Sequence, residues 1–380
     1  MAGIYFHIPF CKQACHYCNF HFSTSLRYKE EMVRAMLCEL EARQSYLPDE
    51  SLSSIYFGGG TPSLLAESDL MAFFEAIDRH FRLSPNAEIT LEANPDDLQP
   101  EKLAALRRSP VNRLSIGIQS FSEEDLRFFN RAHDEREARR CLSLARDAGF
   151  EDLTIDLIYG SPTTHHTQWA DNLAIAFEHE VPHLSCYALT VEPRTALDHF
   201  IKKGKAPAVD EEQAARQFDY LINATQAAGY EQYEISNFAL PGRYAVHNSN
   251  YWTGVPYLGI GPSAHSFDGE SRQWNVANNA KYLKAVRSGH PLDEAEGLLY
   301  EREALSAEDR YNEYVMTGLR TKWGVRLDKI SRFGPAFQKH FLRYAAPLIA
   351  AGKLERQGDT FFLPPGSRFM ADGIAAELFW

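Results

Sequence analysis

Three cysteines fall within eight residues, in the run Cys11-Lys-Gln-Ala-Cys15-His-Tyr-Cys18, a C-x3-C-x2-C spacing. Thiolates so placed can wrap one side of a metal centre but cannot close a tetrahedral zinc site, which needs four ligands. A fourth would have to come from elsewhere, with His7, His16 and His21 nearest in sequence. A four-iron, four-sulfur cluster takes one cysteine per iron, so three thiolates leave one iron open to a substrate or cofactor. Zinc motifs usually arrive as two separated pairs, so the spacing favours the cluster and leaves zinc as the alternative. A disulfide framework fits less well, with six cysteines in 380 residues and no signal peptide ahead of the motif. Cys38, Cys141 and Cys186 are isolated and are expected to be small buried hydrophobes.

The elements around these cysteines follow a strand–helix rhythm. Short apolar runs near Ile4–His7, Ser54–Phe57, Glu88–Leu91, Arg113–Ile118, Leu153–Leu157 and His183–Ala188 read as strands. Helices are expected near Lys29–Gln44, Glu67–Phe81, Pro100–Arg108, Glu135–Ala148 and Gln168–Glu178. A repeat of about 30 residues implies parallel pairing with right-handed crossovers. A full α/β barrel has eight units, and about six are counted, so an open partial barrel is expected.

Polar groups recur where such a fold places its chemistry, at the C-terminal ends of strands. Gly58-Gly59-Gly60-Thr61-Pro62 follows the second strand and lets backbone approach a ligand closely. No lysine follows it, so it is not a phosphate loop. Glu92 could accept from ribose hydroxyls, or be a solvated carboxylate. Gln119 and Asp156 could bond polar cofactor groups. Arg131 could pair with a carboxylate or form a surface salt bridge.

The lead-in Tyr5-Phe-His7-Ile-Pro9-Phe-Cys11, the exit Cys18-Asn-Phe20 and the glycine stretch together resemble the radical S-adenosylmethionine (SAM) superfamily. That resemblance implies a [4Fe–4S] cluster on Cys11, Cys15 and Cys18, with SAM chelating the open iron. It implies that Tyr5, Gly59, Gly60, Thr61, Glu92, Gln119, Arg131 and Asp156 surround SAM. In the porphyrinogen-processing relative the position of Tyr17 touches a second SAM, which stays open for this chain.

Beyond the barrel, Asp210–Ala228 reads as a helix, and His247-Asn248-Ser-Asn-Tyr251-Trp252 is the next distinctive stretch. Neutral imidazole suits iron, so His247 is a candidate axial haem ligand, with a hydrogen-bonded core histidine as the alternative. From about 290 onward, helices near Ala307–Thr321, Leu327–Ser331 and Ala336–Ala351 precede a hairpin turning at Gly358-Asp359. That order suggests a winged-helix-like unit serving as a lid or partner-docking domain. The motifs from Tyr5 to Ser266 are similar to the HemW-type haem chaperones, which resemble oxygen-independent coproporphyrinogen III dehydrogenase. The dehydrogenase carries a fourth cysteine where this chain has Phe20, and an N-terminal arm before its first strand. The expected fold is therefore α/β: a partial (β/α)6 radical SAM barrel over 1–235 and a mainly helical C-terminal domain over 236–380. The expected function is binding haem and transferring it to acceptor haemoproteins, with porphyrinogen decarboxylation as the alternative.

The composition is consistent with this. A net charge of −12 argues against a partner bound mainly through phosphates, so no nucleic acid is expected. No apolar run reaches the ~20 residues of a membrane span, and no targeting segment precedes the first strand, so a cytoplasmic protein is expected. Peripheral membrane contact and a homodimer stay open as partners.

Overall fold

The computed structural model describes all 380 residues. Six strands pair in parallel and in sequence order: β1 (Ala2–Ile8), β2 (Ser51–Gly59), β3 (Arg82–Ala93), β4 (Arg113–Gln119), β5 (Asp152–Tyr159) and β6 (His183–Ala188). With right-handed crossovers, strands laid down in one direction put every connecting helix on the same face of the sheet. Those helices are α1 (Lys29–Ala42), α2 (Glu67–His80), α3 (Pro100–Arg108), α4 (Glu123–Phe129), α5 (Glu135–Asp147) and α6 (His166–Glu178). Asp134 caps α5, its carboxylate accepting from the Glu137 N–H while Glu137 reaches back to the Asp134 N–H.

Side chains alternate across each strand. Ile4, Phe6, Ile55, Phe57, Ile89 and Leu91 face the helices and join the main core. Their neighbours Tyr5, Tyr56, Glu92, Gly117, Asp156 and Ser185 therefore line the opposite face, a polar lumen. This matches the expected partial barrel, and every expected strand and helix of it is present with bounds moved by a few residues at most, except for β3, which begins six residues earlier. Helix α4 is an addition. One side-chain expectation fails: Cys38 is exposed on α1, while Cys141 and Cys186 are buried. Cys38 lies between Leu37 and Glu39 on a helix whose buried face is set by Met32, Met36 and Leu40.

The sheet does not end at β6. After α7 (Ala196–Lys202) and α8 (Glu211–Ala227), the short strands β7 (Glu231–Gln232) and β8 (Asn237–Ala239) add to one edge, β8 antiparallel to β6. Helix α9 (Val246–Thr253) follows. Strand β9 (Tyr257–Ile260) then pairs parallel on the free side of β1. Strands β10 (His265–Phe267) and β11 (Ser271–Asn275) continue antiparallel; α10 (Asn279–Val286) and β12 (Tyr300–Ala304) complete the twelve-stranded sheet. The expected division at 235/236 thus crosses a continuous sheet, and the main core runs on to Tyr300.

A second core begins at Tyr311. It contains α11 (Ala307–Leu319), β13 (Val325–Arg326), α12 (Leu327–Ile330), α13 (Pro335–Ala350), β14 (Glu355–Gln357), β15 (Thr360–Phe362) and α14 (Ala371–Ala376). Its three-stranded sheet has the order β13-β15-β14, as a winged-helix-like unit requires. A division by core falls between Tyr300 and Tyr311. No helix is long and apolar enough to cross a membrane.

One buried polar network ties the β9–β11 extension to α1. Arg43 donates to Glu39 at 2.9 Å and to Gln273 at 2.6 Å, and Glu39 also accepts from Tyr282, Asn275 and the Gly261 N–H. Both charges are essentially inaccessible, which is sustained only because the pair is satisfied this completely.

Candidate functional site

The cysteine loop leaves the C-terminal end of β1 and is pinned by backbone. The Cys11 N–H donates to Ser23 O and the Ser23 N–H to Pro9 O, while the Gly60 and Thr61 N–H groups donate to Ile8 O and Phe10 O. A Cβ on Gly60 would lie 2.5 Å from Phe10 O and 2.7 Å from Ile8 O, so only glycine lets β2 close against this loop. Gly59 has φ +102°, and a Cβ there would meet the His7 ring.

Cys11, Cys15 and Cys18 are free thiols with partial exposure. Burial raises Cys11, and pushes Cys18 up to about 11, each helped by the neighbouring cysteines. The elevation of Cys11 and Cys18 is relieved when a cationic centre takes their thiolates. No group of three His, Cys, Asp or Glu side chains converges on a single-ion site. A cluster bound by one thiolate per iron needs its thiols spread apart instead. Of the three histidines weighed as a fourth zinc ligand, only His7 has both ring nitrogens engaged, and none converges with the thiols on a single-ion site. His7 bonds Tyr5 Oη and His21 O, His16 bonds Phe128 O, and His21 bonds Asn279 Oδ1. The residues present therefore fit a cluster better than zinc.

Arg131 reaches from beyond α4 to this loop. Its Nη1 donates to Cys15 Sγ at 3.2 Å, and its Nη2 to Asn94 Oδ1 and Gly117 O, both at 2.7 Å. Its buried Nε has no partner, which leaves a donor available to a ligand. Gln119 sits above the same spot, since a Cβ on Gly117 would meet Gln119 Nε2 at 3.0 Å and Arg131 Nη2 at 3.2 Å. Gln119 holds φ +67°, a left-handed conformation that costs a non-glycine residue energy and gathers at functional sites. Thr61 completes this group through Asn94 Nδ2 at 3.3 Å.

Deeper in the lumen, Glu92 accepts from Tyr56 Oη at 2.7 Å and from the Gly59 N–H at 3.2 Å. Burial raises Glu92 to about 7, assisted by the nearby charge of Asp156, and burial raises Asp156 to about 7 as well. Two carboxyl groups held at the edge of ionisation suit a cationic ligand carrying hydroxyl groups. Tyr5 stacks beside Tyr56 with ring centres 6.1 Å apart. Tyr17, within the cysteine loop, packs edge-on against Phe129 at 5.5 Å. Cys11, Cys15, Cys18, Tyr5, Gly59, Gly60, Thr61, Glu92, Gln119, Arg131 and Asp156 thus gather in the lumen and at the C-terminal ends of β1–β5.

His247 lies 6.4 Å from the Tyr5 ring but at the other end of the lumen from the cysteines. Helix α9 closes the lumen from the N-terminal side of the strands. The Glu88 carboxylate accepts from the Val246 and His247 N–H groups at 2.8 and 2.9 Å and so caps α9. His247 Nδ1 bonds Ser54 Oγ at 2.9 Å, and its ring stacks on Tyr56 at 5.1 Å. Burial lowers His247 to about 4, so its imidazole is neutral at pH 7. Tyr251 is 48% exposed, and Arg320 lies over the Trp252 ring at 5.1 Å. Tyr56 escaped the sequence reading as a site residue, and Asn94 stood in it only as part of the polar run Glu92-Ala-Asn94-Pro95 after the third strand. The signal for Tyr56 was its place two residues before Gly58 on the same strand face.

A family model for the radical SAM superfamily matches residues 5–173, and one for the HemN C-terminal domain matches 305–369. The protein named heme chaperone HemW in Mycobacterium tuberculosis is 33% identical over 99% of this chain and 94% of its own length. Its namesake in Bacillus subtilis is 31% identical over 98% of both. The solved structure of coproporphyrinogen III oxidase (HemN) from Escherichia coli, a radical SAM enzyme, superposes with a TM-score of 0.84 at 24% identity, covering 99% of this chain and 89% of that one. The last likeness speaks to the fold. Near-complete coverage at this identity to the first two shows that the chain belongs to the HemW family of the radical SAM superfamily.

Proposed function

We propose that Cys11, Cys15 and Cys18 hold a [4Fe–4S] cluster, that SAM binds over it in the lumen, and that the protein binds haem and passes it to acceptor haemoproteins. When bound, the cluster supplies an open iron for SAM and a source of single electrons. The chain's own residues bind and orient. Arg131 Nε offers a donor to a carboxylate, Glu92 and Asp156 offer acceptors to hydroxyl or ammonium groups, and Gly59 and Gly60 keep side chains out of the way.

The observation that carries the haem reading is the setting of His247. In the tautomer with its proton on Nδ1, the bond to Ser54 leaves the Nε2 lone pair without a protein partner. A neutral, oriented imidazole with a free nitrogen is what an axial iron ligand requires. His247→Ala is expected to weaken haem binding in a spectroscopic titration, and unchanged affinity removes this ligand assignment.

The intact lumen site favours a second reading, oxidative decarboxylation of a porphyrinogen. Phe20, 67% exposed, stands where the dehydrogenase carries its fourth cysteine, which favours the chaperone. Cluster-reconstituted protein incubated anaerobically with SAM, a strong reductant and coproporphyrinogen III is expected to give no decarboxylated porphyrin by mass spectrometry. Multiple turnovers would replace the chaperone reading with an enzyme.

A further inference from the structure

Residues 13–16 of the cysteine loop meet the C-terminal end of α4. The Asn130 side-chain amide donates to Ala14 O at 2.8 Å, and Gln13 Nε2 donates to Asn130 O at 3.0 Å. The His16 N–H donates to Phe129 O at 3.0 Å, and His16 Nδ1 bonds Phe128 O at 2.9 Å. A helix leaves its last carbonyls without partners of its own. Those of α4 are taken up by the loop that carries the cysteines.

Asn130 ends α4 in a left-handed turn, at φ +57° and ψ +52°. Its N–H donates to Arg127 O and the Arg131 N–H donates to Leu126 O, a helix ending that is usually built on glycine. Glycine adopts this φ freely, whereas asparagine is tolerated there because its short polar side chain can bond locally. Here the side chain bonds Ala14 instead, 116 residues away. The next residue on each side makes a parallel contact, Arg131 Nη1 donating to Cys15 Sγ at 3.2 Å. Arg131 Nη2 is held by Asn94 and Gly117. On the other flank of the loop, Lys12 pairs at 2.7 Å with Asp96, two residues beyond Asn94.

We propose that Gln13 and Asn130 are positioning residues for SAM. Their reciprocal amide bonds hold Arg131 and the cysteine loop in one frame, so that the Arg131 Nε donor keeps a fixed place relative to the three thiols. This rests on the reading that a cluster and SAM bind here. Both Nη groups of Arg131 bond protein atoms, which leaves Nε for a ligand carboxylate. A hydrogen bond weakens steeply with misalignment, so a turn at Asn130 that is free to shift weakens that contact.

The test is a double-mutant cycle on the full chain after anaerobic cluster reconstitution. SAM affinity is read by equilibrium dialysis and by the change SAM causes in the electron paramagnetic resonance signal of the reduced cluster. Asn130→Gly keeps the left-handed turn and deletes the amide. It is expected to match wild type in melting temperature and in iron and sulfide per chain, and to bind SAM about 3- to 10-fold more weakly, as loss of one hydrogen bond implies. Gln13→Met, similar in length but without the donor, is expected to do the same. In an Arg131→Lys background Asn130→Gly is expected to change nothing further, because residues acting through one another do not add. The proposal is overturned if Asn130→Gly binds SAM as wild type does, if its effect persists in full in the Arg131→Lys background, or if it loses cluster rather than SAM affinity. A wild-type chain that takes up the cluster and binds no SAM overturns the underlying reading with it.

Discussion

Replacing Gly60 by alanine should unseat the cysteine loop. The new Cβ would sit 2.5 Å from Phe10 O, 2.7 Å from Ile8 O and 2.9 Å from Phe10 N, where real Cβ contacts stay above 3.0 Å. All three are backbone atoms, so no rotamer change relieves the overlap, and the Phe10 carbonyl must retreat by about 0.5 Å. That carbonyl accepts from the Thr61 N–H and belongs to the residue before Cys11. Overpacking of this kind costs about 1–3 kcal/mol, which for a chain of this size lowers the melting temperature by only about 1–4 °C. The cluster is the sharper readout, because displacing Cys11 disturbs a three-thiolate site as a whole. After anaerobic reconstitution, Gly60→Ala is expected to hold much less iron and sulfide per chain than wild type. Gly58→Ala is the control, since its Cβ meets the side chains of Tyr56, Glu92 and Tyr5 instead. It is expected to keep the cluster and to weaken SAM binding. Full cluster content in Gly60→Ala, at an unchanged melting temperature, would refute the claim that close backbone approach positions the cysteines.

Three other outcomes follow from the same structure. Arg43→Met leaves the Glu39 charge buried without its cation and is expected to cost about 3–5 kcal/mol in urea unfolding; Glu39→Leu on top of it should recover part of that loss. Glu92 and Asp156 bind protons more tightly when folded than when unfolded, so stability without ligand should fall as pH rises from the ordinary carboxyl range through about 7. Glu92→Gln and Asp156→Asn should flatten that fall by about 1–3 kcal/mol when unfolding midpoints at about pH 5 and about pH 8 are compared. Arg131→Lys loses the planar fork that serves Cys15, Asn94 and Gly117 together. It is expected to weaken SAM binding by about 10- to 100-fold in anaerobic equilibrium dialysis, as loss of a charged hydrogen bond implies.

Much of this protein was determined by its sequence alone. Cysteine spacing constrains ligand count, so the three thiols pointed to a cluster with an open iron before any fold was known. Apolar runs alternating with amphipathic stretches at a steady interval set six parallel strands, because local periodicity reports which faces are buried. It also placed Glu92 and Gln119 at strand ends, whereas Asp156 lies in the middle of β5. Tertiary structure decided the rest, since it depends on which distant segments meet. Strand β9 is only four residues long, and nothing local in it says that it pairs with β1. That pairing carries the sheet across 235/236 and sets the division between cores after Tyr300. The role of Tyr56 needed the register that puts its hydroxyl on Glu92, 36 residues away. His247 needed it most. Its motif gave the residue types, but only the meeting of α9 with Glu88 and Ser54 placed it at the N-terminal side of the lumen, opposite the cysteines.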